Sequence, residues 1–228
     1  MKRLLALAAS LALPATAAAH DFWVERAPEG FVLRYGHPGE LLPIDARKVK
    51  SVRCWDTAGA ARELLRDAAF SPKEVRFAAP CAAVSISFDD GSWSLTPDGE
   101  VNRPRSEVQG VVRSWSSRQY AKWVDARSPR ASAVLGEELE LVPKTDLARA
   151  RPGDTVTLRV LSAGAPVRGA AVEIAERIVG ETDSRGEVHL RLREAAVTTI
   201  SASVKRPPAT PEADPDVLEA SLTFEVAR

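Results

Sequence analysis

Short apolar runs rich in Val, Ile, Phe and Trp punctuate the first half of the chain at Phe22 to Val24, Phe31 to Tyr35, Val49 to Trp55, Val75 to Ala78 and Ala82 to Phe88. Runs of this length, alternating or continuous, are the signature of strands that bury at least one face. Turn chemistry separates them at Pro28-Glu-Gly30, His37-Pro-Gly39, Thr57-Ala-Gly59 and Asp89-Asp-Gly91, the last reading as a hairpin turn that carries two adjacent carboxylates. From Glu107 to Asp125 the spacing of Val111, Trp115, Tyr120 and Trp123 is uneven, and Ser116 or Ser117 is a suitable cap, so a short helix is expected over Ser117 to Val124.

Strand character resumes over Val134 to Pro143, and Arg149 to Asp154 marks a turn. A second series follows at Thr155 to Leu161, Ala171 to Ala175, Glu187 to Leu192, Thr199 to Val204 and Leu218 to Val226. The turn Ser162 to Pro166 and the run Thr182-Asp-Ser-Arg-Gly186 suit tight hairpins, whereas the Pro-rich piece Arg206 to Pro215 suits a surface loop. The expected fold is all-β: two β-sandwich domains, the second immunoglobulin-like, with one short helix. The expected divisions are residues 1–19 as a signal peptide, 20–136 as the first domain and 137–228 as the second.

The signal peptide follows from Met1-Lys-Arg3, an apolar stretch from Leu4 to Leu13 and small residues at Ala17 and Ala19. That stretch falls well short of the roughly 20 residues needed to span a bilayer. The mature chain is therefore expected to begin at His20 in an exported, periplasmic protein. The formal charge of the 228 residues is zero, with both signs interspersed, which gives no basis for nucleic-acid or anionic-membrane binding. Two cysteines, Cys54 and Cys81, in an oxidising compartment are expected to form a disulfide.

Three histidines can be weighed one by one. Cleavage after Ala19 would place the α-amine and the imidazole on the same residue, His20, which can chelate a divalent ion through both. His37, one expected hairpin away, would add a second imidazole, completing a three-nitrogen arrangement suited to Cu(II) or Ni(II). Cleavage after Ala17 would instead give Ala18-Ala19-His20, a tripeptide start that binds the same metals. The bland alternative is an accidental His at a cleavage site and an exposed turn residue. His189 alternates with Val188 and Leu190 and reads as a strand residue. Asp21, Glu25 and Glu40 are nearby carboxylates suited to a supporting role. Asp89 and Asp90 read as turn residues, and Trp55, Trp93, Trp115 and Trp123 read as core rather than as a sugar-stacking face. No nucleophile elbow, zincin helix or phosphate loop occurs, and the protein is not expected to be an enzyme.

The segments Ala19-His-Asp-Phe-Trp23, Leu33-Arg-Tyr-Gly-His-Pro-Gly-Glu40, Asn102-Arg-Pro-Arg-Ser-Glu107, Arg113-Ser-Trp115 and Leu139-Glu-Leu-Val-Pro143 resemble periplasmic accessory proteins of nickel and cobalt importers, a family of exported β-rich domains of largely unknown function. The similarity continues through Arg151-Pro-Gly-Asp154, Gly164-Ala-Pro-Val167 and Thr182-Asp-Ser-Arg-Gly186. It implies that His20 and His37 are the metal ligands. It also implies delivery of nickel or cobalt, with copper as a further option, to a membrane importer component. Two rivals stand beside this expectation: a metal-independent envelope interaction module, and a copper-dependent oxidase built on the same N-terminal chelate.

Overall fold

The computed structural model describes residues 21–37, 39–208 and 214–226. In chain order the strands are β1 (Asp21–Ala27), β2 (Gly30–His37), β3 (Glu40–Leu41), β4 (Val49–Trp55), β5 (Ala61–Glu63), β6 (Ala69–Ser71), β7 (Glu74–Phe77), β8 (Ala83–Thr96) and β9 (Gly99–Val101). They continue as β10 (Arg113–Val124), β11 (Leu139–Pro143), β12 (Thr155–Ser162), β13 (Ala165–Pro166), β14 (Ala171–Ile174), β15 (Arg177–Glu181), β16 (Glu187–Arg191), β17 (Val197–Arg206) and β18 (Asp216–Glu225). The fold is all-β, as the apolar runs predict. Among the described residues no helix is long and apolar enough to cross a membrane.

Three sheets carry these strands. A five-stranded sheet runs β1-β2-β7-β6 with β3 on β2. A nine-stranded sheet runs β15-β14-β17-β18-β10-β8-β4-β5 with β9 on β8. A four-stranded sheet runs β11-β12-β13 with β16 on β12. The nine-stranded sheet joins strands from both halves of the sequence through the parallel pair β10 and β18. It has a core on each face. One core packs Phe22, Phe31 and Leu33 of the five-stranded sheet against Ile86, Phe88 and Trp123. The other packs Leu141, Leu158 and Val188 of the four-stranded sheet against Ile200, Leu218 and Leu222.

This sandwich explains why the expected helix over Ser117 to Val124 is instead the central strand β10. Ala121 and Trp123 enter the first core while Tyr120 and Val124 enter the second, so both faces are apolar and the period-two contrast vanishes. Lys122 shares the second face. Its Nζ donates to Glu140 Oε1 at 2.6 Å and to the Ala133 carbonyl at 2.7 Å, so a fully buried cation interrupts the pattern without being exposed.

The expected hairpin turn at Asp89 to Gly91 is also corrected, since β8 runs unbroken through it. Gly91 pairs with Ser117 and Asp89 with Arg118, leaving Asp90 as the extra residue of a β-bulge, with Gly91 at φ 79°. A bulge re-aims one side chain out of alternation, and here it turns Asp90 inward. Two further turns bear on the expectations. Residues 163–164 close the β12–β13 hairpin as expected, whereas 182–186 joins β15 to β16, which belong to different sheets, so that turn is a crossover rather than a hairpin. The Cys54–Cys81 disulfide is present, with Cα atoms 5.4 Å apart. The Pro-rich piece lies between β17 and β18, and its residues 209–213 fall outside the described residues.

Candidate functional site

Strand alternation builds the site on one face of the nine-stranded sheet. Val172 on β14, Ile200 and Ala202 on β17, and Leu218, Ala220 and Leu222 on β18 face the second core. Their neighbours Glu173, Ser201, Ser203, Glu219 and Ser221 therefore face the opposite way, toward the start of β1. Two hydrogen bonds pin β1 there: Ser221 Oγ donates to the Phe22 carbonyl at 2.6 Å, and Ser201 Oγ donates to Asp21 Oδ1 at 3.3 Å.

His37 reaches the same place from β2. Asp21 pairs with Gly36, and the β2–β3 turn pairs His37 with Glu40. Gly36 is required, because its φ is +123° and an added Cβ would sit 2.5 Å from the Glu40 carbonyl oxygen and 2.9 Å from Leu42 N. From the other half, the β14–β15 hairpin turns at Ala175 and Glu176, both at positive φ (50° and 60°), a conformation costly for side-chain-bearing residues. That turn brings Glu176 Oε1 to 2.9 Å from His37 Nδ1.

Glu176 and Asp21 thus flank the imidazole, and Glu173 and Glu219 lie near Asp21 on the same sheet face. Among the described residues no Lys or Arg forms an ion pair with Asp21, Glu173 or Glu219. Burial, reinforced by the charges of Glu176 and Glu173, raises the Asp21 carboxyl to about 6. Burial, reinforced by Asp21, Asp90 and Glu173, raises the Glu219 carboxyl to about 8, although Gln119 Nε2 donates to it at 3.0 Å.

Asp90 links this cluster to an adjoining cleft. Its carboxylate accepts from Lys48 Nζ at 2.8 Å, Trp93 Nε1 at 3.0 Å and Tyr35 Oη at 3.2 Å. Asn102 closes the bulge by donating to the Asp90 carbonyl at 2.8 Å. The cleft encloses about 700 Å³. Trp93 and Trp115, in register on β8 and β10, stack with centroids 6.3 Å apart and planes 7° apart along its wall. These two tryptophans correct the core assignment, which holds for Trp55 and Trp123.

The other sequence candidates separate. Glu25 bonds Trp23 and Arg34 and sits four residues along β1 from Asp21, about 13 Å away. Glu40 lies opposite His37 in register. His189 is exposed on β16, where its Nδ1 lies 2.9 Å from Thr157 Oγ1. His20, which directly precedes Asp21 in the chain, lies outside the described residues. Among the described residues no group of three or more His, Cys, Asp or Glu side chains has metal-binding geometry.

The fold and the site define an all-β, disulfide-linked protein in which a histidine-bearing hairpin and an acid-lined cleft share one sheet face. The chain belongs to the family described as Domain of unknown function (DUF4198), whose model matches residues 17–206. No curated protein and no solved structure matches it.

Proposed function

We propose that the protein is exported, cleaved after Ala19, and captures a divalent transition metal ion, nickel or cobalt with copper as a further option, at His20 and His37 for delivery to a membrane importer. The observation that carries this reading is the His37 ring held at Nδ1 by Glu176, beside Asp21, the residue to which His20 is bonded. A carboxylate on one ring nitrogen orients a ligating histidine and raises its basicity, making Nε2 the ligating nitrogen. The α-amine and imidazole of His20 would supply the remaining nitrogens, a donor set suited to these ions. Asp21 and Glu176 place acidic groups beside the site that favour cation approach and offset the charge of the ion.

Few ligands and a partly exposed His37 suit capture and release rather than permanent storage. The resemblance to nickel and cobalt importer accessory proteins supports the choice of metal and recipient. The test is calorimetric titration of the processed protein with Ni(II), Co(II) and Cu(II), alongside His20→Ala and His37→Ala. Binding that weakens at least tenfold in both variants is the expected result. Absence of binding by correctly processed protein at micromolar metal would overturn the proposal and favour a metal-independent interaction module.

A further inference from the structure

Beside the hairpin, the large cleft has an aromatic wall that metal capture does not use. Its volume, about 700 Å³, falls in the range of small-molecule sites. One wall is the Trp93–Trp115 stack, fixed because the Trp93 indole N–H is anchored on buried Asp90. Glu173 and Glu219 also line the cleft, and neither has an ion-pair partner among the described residues. Asp90, in contrast, is already neutralised by Lys48.

We infer that this cleft binds a small organic cation, an ammonium or guanidinium compound with an apolar body, between the Trp93–Trp115 wall and the carboxyl groups of Glu173 and Glu219. The chain itself demonstrates the aromatic half of that recognition, since the Arg113 guanidinium carbon lies 5.1 Å from the Trp115 ring centroid. The acidic half decides the ligand's charge. The partly buried carboxylate of Glu173, without an ion-pair partner among the described residues, favours a ligand cation over a neutral sugar or an anion, while Glu219, which keeps its proton near neutral pH, adds a hydrogen-bonding group. Stacking area accommodates the apolar body, and Ser117, Ser203 and Gln119 offer hydrogen bonds beside the carboxylates. Arg113, Arg177 and Lys205 also border the cleft, but all three are exposed, where water and salt weaken their repulsion and a ligand can displace Arg113 from the Trp115 ring.

Agmatine, which carries a guanidinium and an ammonium on a four-carbon chain, is a suitable probe. It would be titrated in chelator-containing buffer by tryptophan fluorescence and calorimetry, with glucose and succinate as comparison ligands. The expected result is saturable binding with Kd of about 0.1 mM or tighter, weakened about tenfold by Trp115→Ala and by Glu173→Gln, and still saturable in His37→Ala, which removes the partner of the cleft-lining Glu176. Circular dichroism would establish that the variants fold, and the conservative Glu173→Gln keeps the test decisive if Trp115→Ala does not. No saturation up to about 10 mM agmatine, stronger binding of glucose or succinate, or undiminished binding in folded Glu173→Gln would each overturn it. Because metal is excluded and His37 is spared, this result stands or falls separately from the metal proposal.

Discussion

The Nδ1 of His37 and the Oε1 of Glu176 lie 2.9 Å apart although 139 residues separate them in the chain. Both side chains are partly exposed, so the pair contributes at most about 1 kcal/mol to stability. Its consequence is orientation: a turn with two positive-φ residues holds a carboxylate against the histidine of another sheet. Glu176→Gln is expected to change Tm by no more than about 2 °C while weakening metal binding about tenfold. Paired melting curves and metal titrations check both halves of that statement.

Gly36 is expected to be intolerant of substitution. Gly36→Ala drives a Cβ into the Glu40 carbonyl and forces an unfavourable φ, so a loss of about 2 to 3 kcal/mol is predicted, with weaker metal binding through displacement of His37. Chemical denaturation gives the first quantity and titration of the folded fraction the second.

The buried Lys122–Glu140 pair holds the segment between the two halves, because Glu140 also accepts from Leu135 N at 2.7 Å and Gly136 N at 3.1 Å. Burial pushes the Lys122 ammonium below the ordinary lysine value against the pull of Glu140. Removing one partner strands a buried charge, so Lys122→Met is predicted to cost about 3 to 5 kcal/mol. The double variant Lys122→Met, Glu140→Leu is predicted to cost less than the sum of the two single changes, which a denaturation-based double-mutant cycle measures.

The raised carboxyl of Glu219 gives stability a defined pH dependence. Between its ordinary value of 4.5 and its folded value of about 8, the folded state holds a proton that the unfolded state has released. The contribution is therefore fully present below about pH 4.5 and is lost as pH rises through about 8. Asp21, raised from 3.8 to about 6, acts with the same sign over a lower window. In metal-free buffer Tm is expected to fall from pH 5 to pH 8, and Glu219→Gln is expected to flatten that slope. A Tm that rises over this interval, or a slope unchanged in the variant, would contradict the assignment.

The parts of this fold legible in the sequence are those in which short apolar runs are bounded by turn residues. β1, β2, β4, β7, β12, β14, β16, β17 and β18 fall where their apolar runs place them, whereas β15 has no matching run and β13 lies in a stretch that reads as a turn. Cys54 and Cys81, the only two cysteines, are paired. β10 was illegible because it separates two cores, and the bulge at Asp90 because Asp-Asp-Gly is the residue chemistry of a turn as well as of a bulge. His37 and Asp21 were visible as chemistry near the chain start. Glu173 and Glu219 were not, because each alternates with apolar neighbours as a solvent-facing strand residue would, and Glu176 was not, because a turn glutamate carries no sign of the histidine it meets from 139 residues away. Trp93 and Trp115 carried no local sign of facing a cleft rather than a core.

The most direct test of metal capture is the contribution of the N-terminal amine. Protein processed to begin at His20, verified by intact mass, would be titrated with Ni(II) and Cu(II) beside the same chain carrying an acetylated α-amine. Chelation through amine and imidazole predicts at least a tenfold loss of affinity on acetylation, with His37→Ala adding a further loss. Equal affinity in the free and acetylated chains would contradict the proposed centre.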